Sequence, residues 1–162
     1  MKVTFPHMGT MWLPLKAMLQ ELGLDVVVPP PTTKRTLSLG TRYCPEFICM
    51  PLKISLGNYI EAAEKGADTV IMAGGVGPCR FGYYSRLEKE ILDDLGYPME
   101  MITIEPPEKH FIEVLHKLNR LKKCGIVKAM AALSIGWQKC CAADNIERMT
   151  HQVRAWESKA GE

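Results

Sequence analysis

Thr69-Val70-Ile71-Met72-Ala73, followed directly by Gly74-Gly75-Val76-Gly77-Pro78-Cys79-Arg80-Phe81-Gly82-Tyr83-Tyr84, decides the fold. The first five residues form an apolar run of strand length, as expected of a parallel strand buried on both faces. Glycines placed directly after such a strand let the chain turn tightly and bring backbone amides close to a bound group. A helix follows, with Tyr84, Leu87, Ile91 and Leu95 at the spacing of one apolar face and Gly96 as its stop.

The same alternation continues on both sides of this stretch. Upstream, Val3-Thr4-Phe5 reads as a first strand, and Leu15, Met18, Leu19 and Leu22 mark a helix that Gly23 ends. Leu24-Asp25-Val26-Val27-Val28 is a second strand, closed by Pro29-Pro30-Pro31, which cannot continue a ladder. Residues 32–43 are polar and point to no definite element. Phe47-Ile48-Cys49-Met50 reads as strand three, and Leu56, Tyr59, Ile60 and Ala63 as the inward face of a helix ending at Gly66. Residues 69–73 are then strand four and 99–104 strand five. Pro106-Pro107 opens a further helix, whose last turn carries Lys117, Arg120, Lys122 and Lys123 against the negative end of its dipole, with Gly125 as cap. The pattern predicts an α/β fold over residues 1–124: a Rossmann-like, flavodoxin-like sheet of five parallel strands in the order 2-1-3-4-5. Residues 125–162 are expected to form a C-terminal helical extension. There, Trp137, Met149, Val153 and Trp156 are expected to pack on the chain's own sheet, the alternative being a partner-binding stripe.

A chain of 162 residues can bury a full core without covalent staples. Its 20 basic and 18 acidic residues are interleaved, which argues against a nucleic-acid surface. No stretch is long enough to span a bilayer, and Pro6, His7, Pro14 and Lys16 interrupt the apolar start, so no signal peptide is expected. Six cysteines without an export signal point to a reducing cytoplasm, where thiols are free, catalytic or metal-bound.

In open parallel sheets ligands bind beyond the carboxyl ends of the strands, where the strand order reverses, here between strands one and three. The loops expected there carry His7, Cys49 and Lys53, with residues 74–82 alongside. Cys49 and Cys79 each follow a strand end, and neighbouring strands lie about 4.8 Å apart, so the two thiols can face one metal centre. Two packing thiols are the other reading. Cys44 would lie about 16 Å from Cys49 in an extended segment and closer if Pro45 makes a turn. Cys124 falls at a helix end, and the adjacent Cys140 and Cys141 point about 100° apart on a helix, which disfavours joint ligation. Gly74, Gly75 and Gly77 before a helix offer a phosphate cradle, with Arg80 as an anion-orienting cation, although neither a dinucleotide fingerprint nor a P-loop is present. Glu105 and Glu108 stand too close to the Pro-Pro turn to make an acid–base pair, and no Ser-His-Asp or Cys-His pattern assembles.

The segments Glu46-Phe47-Ile48-Cys49-Met50-Pro51-Leu52-Lys53, Gly57-Asn58 and the Gly-Pro-Cys-Arg block from Gly74 to Tyr84 closely resemble the 2-hydroxyglutaryl-CoA dehydratase component family, and more narrowly proteins related to acyl-CoA dehydratase activases. Phe5-Pro6-His7-Met8-Gly9 and Pro29-Pro30-Pro31-Thr32-Thr33 fit the same group. The resemblance implies Rossmann-like domains, an oxygen-sensitive 4Fe-4S cluster held by cysteines, and an electron passed to a 2-hydroxyacyl-CoA thioester that then loses water. By resemblance Cys49 and Cys79 match two cluster ligands, and Cys44 is the candidate for a third. Larger relatives supply a further cysteine from a later domain, which has no counterpart in this chain. The implied role is an iron-sulfur electron-transfer or accessory domain of a 2-hydroxyacyl-CoA dehydratase-like (lyase) or double-cubane-type reductase system of anaerobic metabolism, incomplete as an enzyme by itself. The alternative is a phosphate- or CoA-binding or regulatory module without a cluster. The implied partners are another dehydratase- or activase-type subunit, a second copy of the chain, and an acyl-CoA.

Overall fold

The computed structural model describes residues 1–75, 78–104 and 124–158. Strand β1 (Lys2–Thr4) leads through a 3-10 turn (Gly9–Met11) into α1 (Trp12–Glu21), and β2 (Asp25–Val26) follows. Two helices, α2 (Lys34–Tyr43) and α3 (Met50–Glu64), come before β3 (Thr69–Ala73), and α4 (Phe81–Asp94) connects β3 to β4 (Glu100–Ile104). The last described element is a long helix, α5 (Ile126–Arg154).

Among the described residues the sheet has four parallel strands in the order β2-β1-β3-β4, not the five expected. The missing strand is the one expected at residues 47–50. Phe47 is 84% exposed, Ile48 N–H donates to Pro45 O at 3.2 Å in a turn, and Met50 already begins α3. Pro51 explains the difference. Its fixed φ and missing N–H suit the first turn of a helix, so the residue that seemed to end a strand instead starts α3. The polar residues 32–43 are mostly helix α2, opened by a reciprocal cap in which Thr36 N–H donates to Thr33 Oγ1 and Thr33 N–H to Thr36 Oγ1.

β3 is the centre of the molecule. Val70 and Met72 face a core built with Leu52, Leu56 and Tyr59 of α3 and Tyr84 and Leu92 of α4, while Ile71 faces Val3, Phe5, Leu19 and Leu24 under α1. The expected inward residues of α1, α3 and α4 are buried or half-buried in these two cores. Gly66 and Gly96 end α3 and α4 at φ 85 and 79°. α2 and α3 cross at backbone contact: a Cβ on Gly40 would stand 1.7 Å from Lys53 O, and one on Gly57 2.1 Å from Thr36 O. Arg35 clamps the same pair of helices through Glu64, at 2.7 and 2.8 Å, and Glu61, which also accepts from Thr36 Oγ1 at 2.7 Å.

α5 lies along α1 and buries only Ala132 and Gly136 fully, with Gly136 set against the side chain of Met18. Trp137 (72% exposed), Trp156 (89%), Met149 and Val153 face outward, so the expected packing of these four on the sheet is not found. One thin stripe of small residues on a 29-residue helix makes the contact, and the large apolar side chains lie elsewhere around it. The helix expected after Pro106-Pro107, with Lys117, Arg120, Lys122 and Lys123, lies outside the described residues, as do Val76, Gly77, Glu105 and Glu108.

Candidate functional site

β2 pairs on one side of β1 and β3 on the other, so the crossovers diverge between β1 and β3. A cleft of about 250 Å³ opens at that point. Pro6, His7 and Met8 enter it from the end of β1 and Met72 from β3; Ser55 and Asn58 of α3 face Phe81 and Tyr84 of α4 across it. The His7 ring stacks on Trp12 at 6.0 Å between centroids and is half-buried, which gives it a structural role as well as a place in the wall.

Asn58 is fully buried, and neither its Nδ2 nor its Oδ1 has a hydrogen-bond partner among the described residues. Buried amides are nearly always paired, and an unpaired one costs about 1–3 kcal/mol. Here the unpaired amide lies in the wall of the cleft, with no area of its own open to solvent. No lysine or arginine stands in the cleft wall among the described residues.

Behind the wall lies a group of weak acids. Ser55 Oγ donates to Glu88 Oε1, while Glu88 Oε2 has no partner among the described residues. Burial pushes the Glu88 carboxyl up to about 8 against the opposing effect of the Ser55 bond, so it is mostly protonated at neutral pH. The fully buried Tyr59 hydroxyl is held well above its ordinary value, by burial first and Glu88 second. Tyr84 Oη and Cys49 Sγ are 2.6 Å apart. Burial, then this bond, and then the nearness of Cys49, Cys79 and Glu88 raise the Tyr84 hydroxyl, which stays protonated.

Cys49 reaches this rim as the N-cap of α3 and not from a strand end. Cys79 is exposed just before α4. Cys49 at the N-cap of α3 and Cys79 just before α4 both stand where those helices begin, at the carboxyl end of the sheet. Cys44, brought back toward Cys49 by the Pro45 turn, is only 8% exposed and packs in the α3–α4 core. Burial, with a smaller push from Glu88, raises its thiol to about 11. Metal ligation requires thiolate, and among the described residues no group of three or more His, Cys, Asp or Glu side chains is placed to hold a metal ion. The described residues therefore do not form a complete iron-sulfur site.

The glycine cradle is only partly available. Gly74 N–H donates to Ile104 O at 2.7 Å, and a Cβ on Gly82 would stand 2.1 Å from Gly75 O, which shows how closely the turn folds on α4. Arg80 is exposed at the start of α4, and Lys53 Nζ donates to Glu46 O at 2.9 Å. Asn58, Ser55 and Glu88 carry the polar chemistry of the cleft and its backing; the sequence marked Asn58 only as part of the Gly57-Asn58 resemblance and none of the three as a site residue. Asn58 interrupts the apolar run from Leu56 to Ile60, and Glu88 falls four residues after Tyr84 on the buried face of α4; those interruptions were the available signal.

Residues 7–73 match the family model described as the CoA enzyme activase uncharacterised domain (DUF2229). The matched region runs from His7 through α1, α2 and α3 to the end of β3 and includes Asn58; the block at residues 74–84 lies beyond it. The match supports an activase- and dehydratase-related grouping at that coarse level. No curated protein and no solved structure matches the chain. Among the described residues no helix is long and apolar enough to cross a membrane.

Proposed function

We propose that this chain is an accessory ligand-binding module of a CoA-dependent, activase- and dehydratase-related enzyme system, and that the β1–β3 cleft takes the pantetheine arm of an acyl-CoA. The unpaired amide of Asn58 carries this reading. Pantetheine is an uncharged, mostly apolar chain with two amide groups, and a small outward turn of the buried Asn58 side chain would bring its NH2 donors and carbonyl acceptor to them between apolar walls of Pro6, Met72 and Phe81. The cleft, about 250 Å³, is smaller than the roughly 300 Å³ at which sites for drug-sized ligands begin, so it suits a chain segment and not a whole cofactor. A wall without lysine or arginine is poorly suited to the diphosphate end.

Calorimetry on metal-free protein with pantetheine, CoA and adenosine 3′,5′-bisphosphate tests the assignment. Pantetheine and CoA should compete for one site that the bisphosphate does not enter. Asn58→Leu should weaken pantetheine about 10- to 100-fold, the loss of one or two hydrogen bonds. The same substitution removes an unpaired buried amide and should leave the fold at least as stable. Binding of the bisphosphate in the cleft, or unchanged affinity in Asn58→Leu, would refute the reading.

A second reading rests on the positions of Cys49 and Cys79 at the starts of α3 and α4, on the same rim of the sheet. It gives them as two ligands of an iron-sulfur cluster whose remaining ligands come from a partner subunit. Anaerobic reconstitution of the wild type, Cys49→Ser and Cys79→Ser decides it, and equal iron content in all three rejects it.

A further inference from the structure

On the α1–α5 side, a second cleft of about 330 Å³ collects four sulfur side chains: Met8, Met11, Cys140 and Cys141. We infer that it is a binding site for a soft monovalent metal ion of the Cu(I) class. Thioether and thiol donors select such ions, whereas Zn(II) draws on His, thiolate and carboxylate groups, of which no suitable group of three exists among the described residues.

The geometry supports the assignment. Met11 N–H donates to Met8 O at 3.0 Å, closing a 3-10 turn in which side chains three residues apart lie on the same side. Met8 and Met11 are 45% and 48% exposed, so core packing does not account for them. Cys140 Sγ stands 3.9 Å from Met11 Sδ. Two sulfurs on one tetrahedral centre with metal–sulfur bonds of about 2.3 Å stand about 3.8 Å apart. Thr10 Oγ1 donates to Glu147 Oε1 at 2.5 Å and ties the turn to α5, so the two donor segments are already held together. Cys140 and Cys141 diverge around the helix, yet both line the cleft, because it wraps that side of α5. The inference therefore runs against the expectation that their divergence disfavours joint ligation. Binding replaces thiol protons by metal and releases them to solvent.

The test is a competition titration of Cu(I) against bicinchoninate, under anaerobic reducing conditions, on the full chain carrying Cys49→Ser and Cys79→Ser so that the other rim contributes no thiols. One Cu(I) per chain should bind, Met8→Leu/Met11→Leu should weaken it at least tenfold, and Cys140→Ser/Cys141→Ser should abolish chelator-resistant binding. A parallel Zn(II) titration should not respond to the methionine changes. Trp137 lines the cleft, so Ag(I) should quench fluorescence in this protein and less so after Trp137→Phe. Cu(I) affinity unchanged by the methionine pair, or stoichiometry unchanged by the cysteine pair, overturns the inference. The leucine variants change half-exposed residues without altering bulk, and far-ultraviolet circular dichroism establishes that they are folded before titration.

Discussion

Replacing Glu88 by glutamine should remove a specific dependence of stability on pH. The buried Glu88 carboxyl is raised from an ordinary value of 4.5 to about 8, chiefly by burial. Between those values the folded chain keeps a proton that the unfolded chain has released, so stability falls as pH rises, by about 1.4 kcal/mol per pH unit. The shift of 8 − 4.5 = 3.5 units sets an upper bound of about 5 kcal/mol on the loss, complete above pH 8 and absent below 4.5. Glutamine has nearly the shape of the protonated acid and can still accept from Ser55 Oγ. Urea unfolding at intervals from pH 4 to 9 is the assay. Wild type and Glu88→Gln should coincide near pH 4 and separate steadily, with the variant several kcal/mol more stable at pH 9. Parallel curves across that window would show that Glu88 ionises freely in the folded protein and would refute the burial argument.

Gly57→Ala should cost about 1–3 kcal/mol or more in urea unfolding, since the new methyl would stand 2.1 Å from Thr36 O; wild-type stability would mean that α2 and α3 are not in backbone contact. In alkylation by iodoacetamide at pH 8, mapped by mass spectrometry, Cys44 should react far more slowly than exposed Cys79: its rise from 9.0 to about 11 lowers its thiolate fraction about 100-fold, steric shielding slows it further, and equal rates would contradict its placement. Met149→Glu and Trp156→Glu should each change stability by no more than about 0.5 kcal/mol, because Met149 on α5 and Trp156 just beyond its end are both exposed; a larger loss would place them in a core.

The strand at residues 69–73 was legible because five successive apolar residues meet a glycine pair, and a strand buried on both faces needs that composition. Gly23, Gly66 and Gly96 were legible as helix ends for a similarly local reason: all three take positive φ. Residues 47–50 misled because a four-residue apolar run has no period, and Pro51 reads equally as the end of a strand and the start of a helix. Cys49 nonetheless sits at the carboxyl rim of the sheet, because a crossover helix running back beneath the strands starts at the end where they finish. α2 went unread because its cap pairs two threonines, without the glutamate that usually signals such a start. The buried polar groups were the least visible. Whether Asn58 and Glu88 face solvent or core depends on how α3 and α4 lean together over β3, a relation between segments that local pattern does not encode.

Met8 belongs to the walls of both clefts. A side chain restrained from one direction has fewer arrangements left for the other, and any such effect must be equal in both directions. Occupancy on the α1–α5 side and occupancy between β1 and β3 should therefore sense each other through a single thioether, with no shift of strand or helix required.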